Sequence, residues 1–244
     1  MSFKTVMLSY LNLTYRTMIK ITNKIIKSAD DYTLPYLQFE PENNTRSKSI
    51  ILVYEIFGLT DHIKNVAKEY AENGFLVVIP DIFSRLEDNI NLPYNKDGFS
   101  KGLHLKKKLG WELPIMDIVA LAATLRLESN VSVLGYCYGG SLAWLAMQKS
   151  FIFEKGICYY GSSIPEFLES NINCPGMLHF GSEDEGIPKK AIEKVKKFIN
   201  VNKNKIELFI YENADHGFNC SQRKSYNKVA AEKAFEKTIK FLKD

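Results

Sequence analysis

Six residues constrain this chain more than any others: Gly135-Tyr136-Cys137-Tyr138-Gly139-Gly140. They follow the apolar, β-branched run Val131-Ser132-Val133-Leu134 and precede the helix-like Ser141-Leu142-Ala143-Trp144-Leu145-Ala146-Met147. Strand, glycine-flanked thiol, helix is the G-x-S-x-G turn with cysteine in place of serine. A side chain held at the tip of such a turn strains its backbone, and bulky neighbours would clash there, so glycines flank it. The helix that follows turns its unpaired N–H groups toward the tip, which favours negative charge on sulfur or on an oxyanion. Plain structural corners share this pattern, so the rest of the chain has to decide.

Buried-strand runs recur at Ser49–Tyr54, Phe75–Ile79, Gly156–Tyr160, Met177–Phe180 and Ile206–Tyr211. Helical stretches separate them: one capped by Asp61 and stopped at Gly74, one from about Leu113 to Glu128, one opened by Pro188, and one over 226–242. Residues 84–110, rich in Asn, Pro, Gly and charge, read as irregular. Alternation of strand and helix from residue 50 predicts an α/β domain with a mostly parallel sheet. Ahead of it, Ile19–Ile26 and Thr33–Phe39 alternate as an antiparallel hairpin turned at Ser28-Ala29-Asp30-Asp31, and 41–46 is a polar loop. The 244 residues fit one domain, taken as 18–244. Residues 1–17 are expected to be a poorly ordered extension, with Met18 as an alternative start and a targeting segment as the other reading.

Composition narrows the partners. Net charge is +4, from 32 basic and 28 acidic residues, and the lysines read as solvated helix faces, so nucleic acid is not an expected partner. No segment approaches the length of apolar chain that spans a bilayer. Cys137, Cys158, Cys174 and Cys220 are scattered, as reduced thiols of a cytoplasmic protein would be. The four histidines at 62, 104, 179 and 216 show no metal-ligand spacing, and neither a metal nor a cofactor is expected. A monomer acting on a small molecule is the expectation.

Ligands of parallel sheets bind beyond the carboxyl ends of the strands. Glu55-Ile56-Phe57-Gly58 follows one strand, Cys137 another, Ser182-Glu183-Asp184 a third, and Asp215-His216-Gly217 the last. Cys137, Asp184 and His216 stand in the order nucleophile, acid, base, each separated by about one strand–helix unit. Glu183 is the alternative acid. Histidines 62, 104 and 179 read as structural. In this arrangement an imidazole oriented by a carboxylate takes the thiol's proton, and the thiolate attacks an ester or lactone carbonyl. The backbone N–H of Tyr138 and that of Ile56 are the expected oxyanion donors. The thioester that results is released by water activated at His216.

These residues resemble the dienelactone hydrolase family, a cysteine branch of the α/β-hydrolase fold. The resemblance runs from about residue 19 to the C-terminus and rests on Glu55 to Leu59, Pro80-Asp81, Gly135 to Gly140, Tyr159-Tyr160-Gly161, Gly181 to Asp184, and Ala214 to Phe218. It implies carboxymethylenebutenolidase-type activity, and it makes Glu55 a partner that helps deprotonate Cys137 when substrate binds. The chain departs from the family where arginines bind the substrate carboxylate, near Phe99 and near Cys220. Lys101 and Arg223 are the nearest replacements, although lysine does not reproduce a bidentate arginine. The competing readings are a general carboxylesterase or thioesterase and a non-catalytic binding scaffold.

Overall fold

The structure is a computed structural model that describes residues 18–42, 48–168, 172–201 and 205–244. The expected extension 1–17 and most of the polar loop 41–46 therefore lie outside the described residues. One eight-stranded sheet organises the chain, in the order β1-β2-β4-β3-β5-β6-β7-β8. Strands β1 (Ile19–Lys27) and β2 (Thr33–Pro41) form the antiparallel hairpin, and β2 joins β4 (Leu76–Pro80) antiparallel. From β4 onward all pairings are parallel, through β3 (Lys48–Val53), β5 (Asn130–Tyr136), β6 (Gly156–Tyr159), β7 (Gly176–Gly181) and β8 (Ile206–Tyr211). Every residue of β4, β6 and β7 is buried, as expected for strands covered on both faces.

The register aligns the chemistry. Val53 pairs with Gly135, Tyr136 with Tyr159, Tyr159 with His179, and Gly181 with Tyr211. The residues that follow these positions (Glu55, Cys137, Tyr160, Asp184 and His216) consequently emerge along one edge of the sheet.

Among the described residues, six α-helices cover it. Helix α1 (Asp61–Glu72) is capped by Thr60, whose hydroxyl accepts from the Ile63 N–H at 3.4 Å. This corrects the expected cap at Asp61: that residue is already helical, and the hydroxyl one position earlier reaches the open N–H. Gly74, at φ 94°, ends the turn as expected. The larger correction concerns 84–110, which opens on the end of a 3-10 turn (Ile82–Arg85) and holds a fourteen-residue helix, α2 (Lys96–Leu109). Asn95 caps α2 by accepting from the Gly98 N–H at 2.9 Å. Its buried stripe is Gly98, Gly102, Leu105 and Leu109, so half of the apolar period is written in glycine. A side chain at Gly102 would overlap the Ile56 carbonyl, and the helix needs that close approach. Helices α3 (Glu112–Leu125), α4 (Tyr138–Lys149), α5 (Lys189–Val201) and α6 (Lys228–Lys243) fall where the periodicity put them, within a few residues.

Candidate active site

Cys137 sits between β5 and α4 with φ 54° and ψ −113°, a left-handed conformation that a side chain adopts only under strain. Neighbouring glycines make the turn feasible. A Cβ on Gly135 would overlap the Gly139 carbonyl, and one on Gly139 would overlap the Val53 carbonyl. The Cys137 N–H donates to the Tyr159 carbonyl at 3.0 Å, tying the turn to β6. The Gly139 N–H donates to the Tyr54 carbonyl at 3.1 Å and holds the start of α4 beside the Glu55-Ile56 segment. Tyr138 is the first residue of α4, so its N–H belongs to the set a helix leaves unpaired.

Two hydrogen bonds join the loops after β7 and β8. The Glu183 N–H donates to the Ala214 carbonyl at 2.9 Å, and the Asn213 N–H to the Ser182 hydroxyl at 3.0 Å. This stitching brings His216 Nδ1 to 2.8 Å from Asp184 Oδ2. The buried Asp184 is fixed in turn by the Gly186 N–H, which donates to Oδ1 at 2.8 Å. Asp184, and not Glu183, is therefore the acid on the ring; Ser182 donates to the Glu183 side chain at 3.3 Å. Burial works against the imidazolium of His216, but the adjacent Cys137 and the Asp184 hydrogen bond outweigh it and push the pKa up to about 10. The Cys137 sulfur lies close enough to the ring to act on its charge. The three groups expected in one place are in one place.

Glu55 follows the Tyr54 carbonyl that holds the start of α4. It is 2% exposed, and its Oε1 accepts from Arg223 Nη1 at 3.4 Å. Arg223 also covers the Phe57 ring, 5.7 Å from its centroid, and packs against Gly217. Burial opposes the guanidinium's charge, but Glu55 beside it raises its pKa overall. Arg223 thus reaches the site from three residues beyond the position where the family's pattern looks for an arginine. Lys101 does not join this group: its Nζ lies 2.6 Å from Glu87 Oε1 in an exposed pair. Ile56 is buried, with its carbonyl against Gly102 of α2.

One neighbour entered the sequence reading only as part of a matching stretch, with no role assigned. Tyr160 follows β6, has φ 37°, and sets its ring edge-on to His216 with centroids 5.1 Å apart. Its buried hydroxyl has no hydrogen-bond partner. Applying the strand-end rule to β6 as well would have found it. His179 is structural, as read: it is buried between the hydroxyls of Tyr211 and Thr238, at 2.8 and 3.0 Å, and burial drives its pKa down to about 3. His104 lies on the exposed side of α2.

With this geometry in hand, comparison with known proteins decides the family. A profile of the dienelactone hydrolase family matches residues 34–244. The chain belongs to that family. Its members are hydrolases of ester and lactone bonds, on the α/β-hydrolase fold described above. Among relatives, the carboxymethylenebutenolidase of Pseudomonas putida is 25% identical over 224 residues, covering 89% of this chain and 94% of its own. A candidate carboxymethylenebutenolidase of Synechocystis sp. is 28% identical over 236 residues, covering 91% and 93%. A candidate dienelactone hydrolase of Klebsiella pneumoniae superposes with a TM-score of 0.81 at 21% identity, over 93% of this chain and 99% of that one. No helix among the described residues is long and apolar enough to cross a membrane.

Proposed function

We propose that this family member hydrolyses a small ester or lactone through Cys137, His216 and Asp184, by way of a thioester. The observation that carries the reading is the string of contacts from Asp184 Oδ2 through His216 Nδ1, at 2.8 Å, to the Cys137 thiol on the strained turn. A binding scaffold has no need of an imidazole whose pKa is raised to about 10 by a thiol and a carboxylate.

The chemistry follows from the charges. His216 takes the thiol's proton, giving a thiolate–imidazolium pair stabilised by Asp184. The thiolate attacks the acyl carbon; the C–S bond forms while the carbonyl π electrons move to oxygen. The Tyr138 and Ile56 N–H groups receive that oxyanion. As the intermediate collapses, the C–O bond breaks and the departing alkoxide takes its proton from His216. In a lactone, this alkoxide stays attached to the acyl chain. Water then gives a proton to His216 and attacks the thioester, and the expelled thiolate regenerates the starting pair.

Glu55 and Arg223 select the moment. At rest they neutralise each other in the buried pair. A substrate carboxylate arriving at Arg223 competes for the same guanidinium and releases Glu55, which takes the thiol's proton and passes it to His216, the assistance that the family resemblance implies. This favours acyl groups that carry a carboxylate, as the dienelactone class does. The four free, buried cysteines suit a reducing compartment, and we place the enzyme in the cytoplasm.

Titration with iodoacetamide tests the reading. Hydrolysis of p-nitrophenyl acetate should fall in step with alkylation of Cys137, and Cys137→Ala should be inactive. Full turnover by Cys137→Ala overturns the assignment. A parallel screen of lactones, p-nitrophenyl esters and acyl thioesters ranks the substrate classes.

A further inference from the structure

Glu55 also belongs to a second group of side chains, and the proposed hydrolysis does not use the other two members. Glu55, His62 and Cys220 each present one ligand-type atom, and all three atoms lie within 4.8 Å of one another. They are 2%, 5% and 0% exposed. Both Glu55 Oε2 and His62 Nε2 are buried with no hydrogen-bond partner. Leaving one buried polar atom unsatisfied costs about 1–3 kcal/mol, and here two occur in one cluster.

We infer that Glu55, His62 and Cys220 form a site for a divalent transition ion of the zinc class. Carboxylate, imidazole and thiolate are the donor types such ions take, at about 2.0–2.3 Å. A tetrahedral ion at those bond lengths holds its ligand atoms about 3.4–3.6 Å apart, so small side-chain movements close the present spacing. Two anionic ligands balance the ion's two charges, with the imidazole neutral. Binding releases the proton of the Cys220 thiol. One position remains for water, the pattern of an open rather than a closed site. His62 also borders a surface groove of about 520 Å³ whose lining includes Glu69, Glu72 and Glu232 together with Lys68, a predominantly acidic route for a cation. The sequence shows no ligand spacing because the three donors come from the β3 loop, the first turn of α1 and the segment after β8.

An ion on Glu55 also withdraws that carboxylate from Arg223 and from Cys137, so filling the site should slow hydrolysis. That consequence rests on the function proposed above; the site itself does not.

Cobalt(II) titration of the metal-free protein in a Cys137→Ser background tests the site without reference to activity. One equivalent should bind with a near-ultraviolet sulfur-to-cobalt charge-transfer band, and zinc should displace it. The band should vanish in Cys220→Ser, and His62→Gln should weaken binding by at least about tenfold while circular dichroism stays native. If the serine variant does not fold, the His62→Gln titration decides. Absence of saturable binding, a band that persists without Cys220, or affinity unchanged in His62→Gln overturns the inference. Hydrolysis assays on the same proteins, with Cys137 restored, then report separately on the role of Glu55.

Discussion

The two sides of Cys137 are built differently. On one side His216 is held by Asp184, and Asp184 by the Gly186 N–H, each contact at 2.8 Å. On the other side Glu55 meets Arg223 at a looser 3.4 Å, leaves its second oxygen unpaired, and lies beside an unpartnered His62 nitrogen. A closed hydrogen-bond chain fixes geometry before substrate arrives, which is what a proton-transfer group requires. A half-satisfied buried pair is ready to exchange partners. Preorganisation and readiness to switch are thus divided between two groups of side chains in one site.

The largest effects should come from breaking the closed side. Asp184→Asn should cut kcat by about 10⁴-fold, since an amide cannot hold the imidazolium, with little change in KM. Steady-state kinetics on any hydrolysed ester checks this, and a loss below tenfold would reduce Asp184 to packing. The open side should respond more modestly and in a different parameter. Arg223→Gln should raise KM for a carboxylate-bearing ester by roughly 10–100-fold while sparing a neutral one. Equal effects on both substrates would remove the carboxylate-binding role.

A titration separates the sides further. The ring protons of His216, followed by NMR, should titrate with a midpoint near 10 in the parent and lower in Cys137→Ser, where the thiolate is gone. Because this folded-state pKa lies above the unfolded value of about 6.5, the charged ring stabilises the fold fully below about pH 6.5. That contribution fades as pH rises through about 10, and denaturant melts of parent against His216→Gln should converge over the same range. Smallest of all is Lys101→Ala. Its exposed pair with Glu87 is of the kind worth about 0–1 kcal/mol, and hydrolysis should stay within about twofold of the parent.

Much of this site could be read along the chain because parallel strands deliver their following residues to one edge. Cys137, Asp184 and His216 each announce themselves by standing just past an apolar run. Helix α2 did not announce itself. Its buried face is carried by Gly98 and Gly102 as much as by Leu105 and Leu109, and glycine reads as a breaker until the Ile56 carbonyl shows why nothing larger fits. The acid was also left between two neighbours. Asp184 and Glu183 are adjacent in the chain, and only the turn stitched by Ala214 and Ser182 points one of them at the ring.

Local pattern alone determined the alternating architecture, the glycine-flanked cysteine turn and the order of the three candidate groups, because apolar period and glycine placement are short-range properties. Tertiary structure decided what pairs with what: Arg223 with Glu55 rather than with solvent, Lys101 with Glu87 rather than with the site, and His62 beside Cys220. Lys101 and Glu87 are local neighbours, but Arg223 and Glu55 stand 168 positions apart, and only the packed sheet edge, with its loops folded over it, brings such distant side chains together.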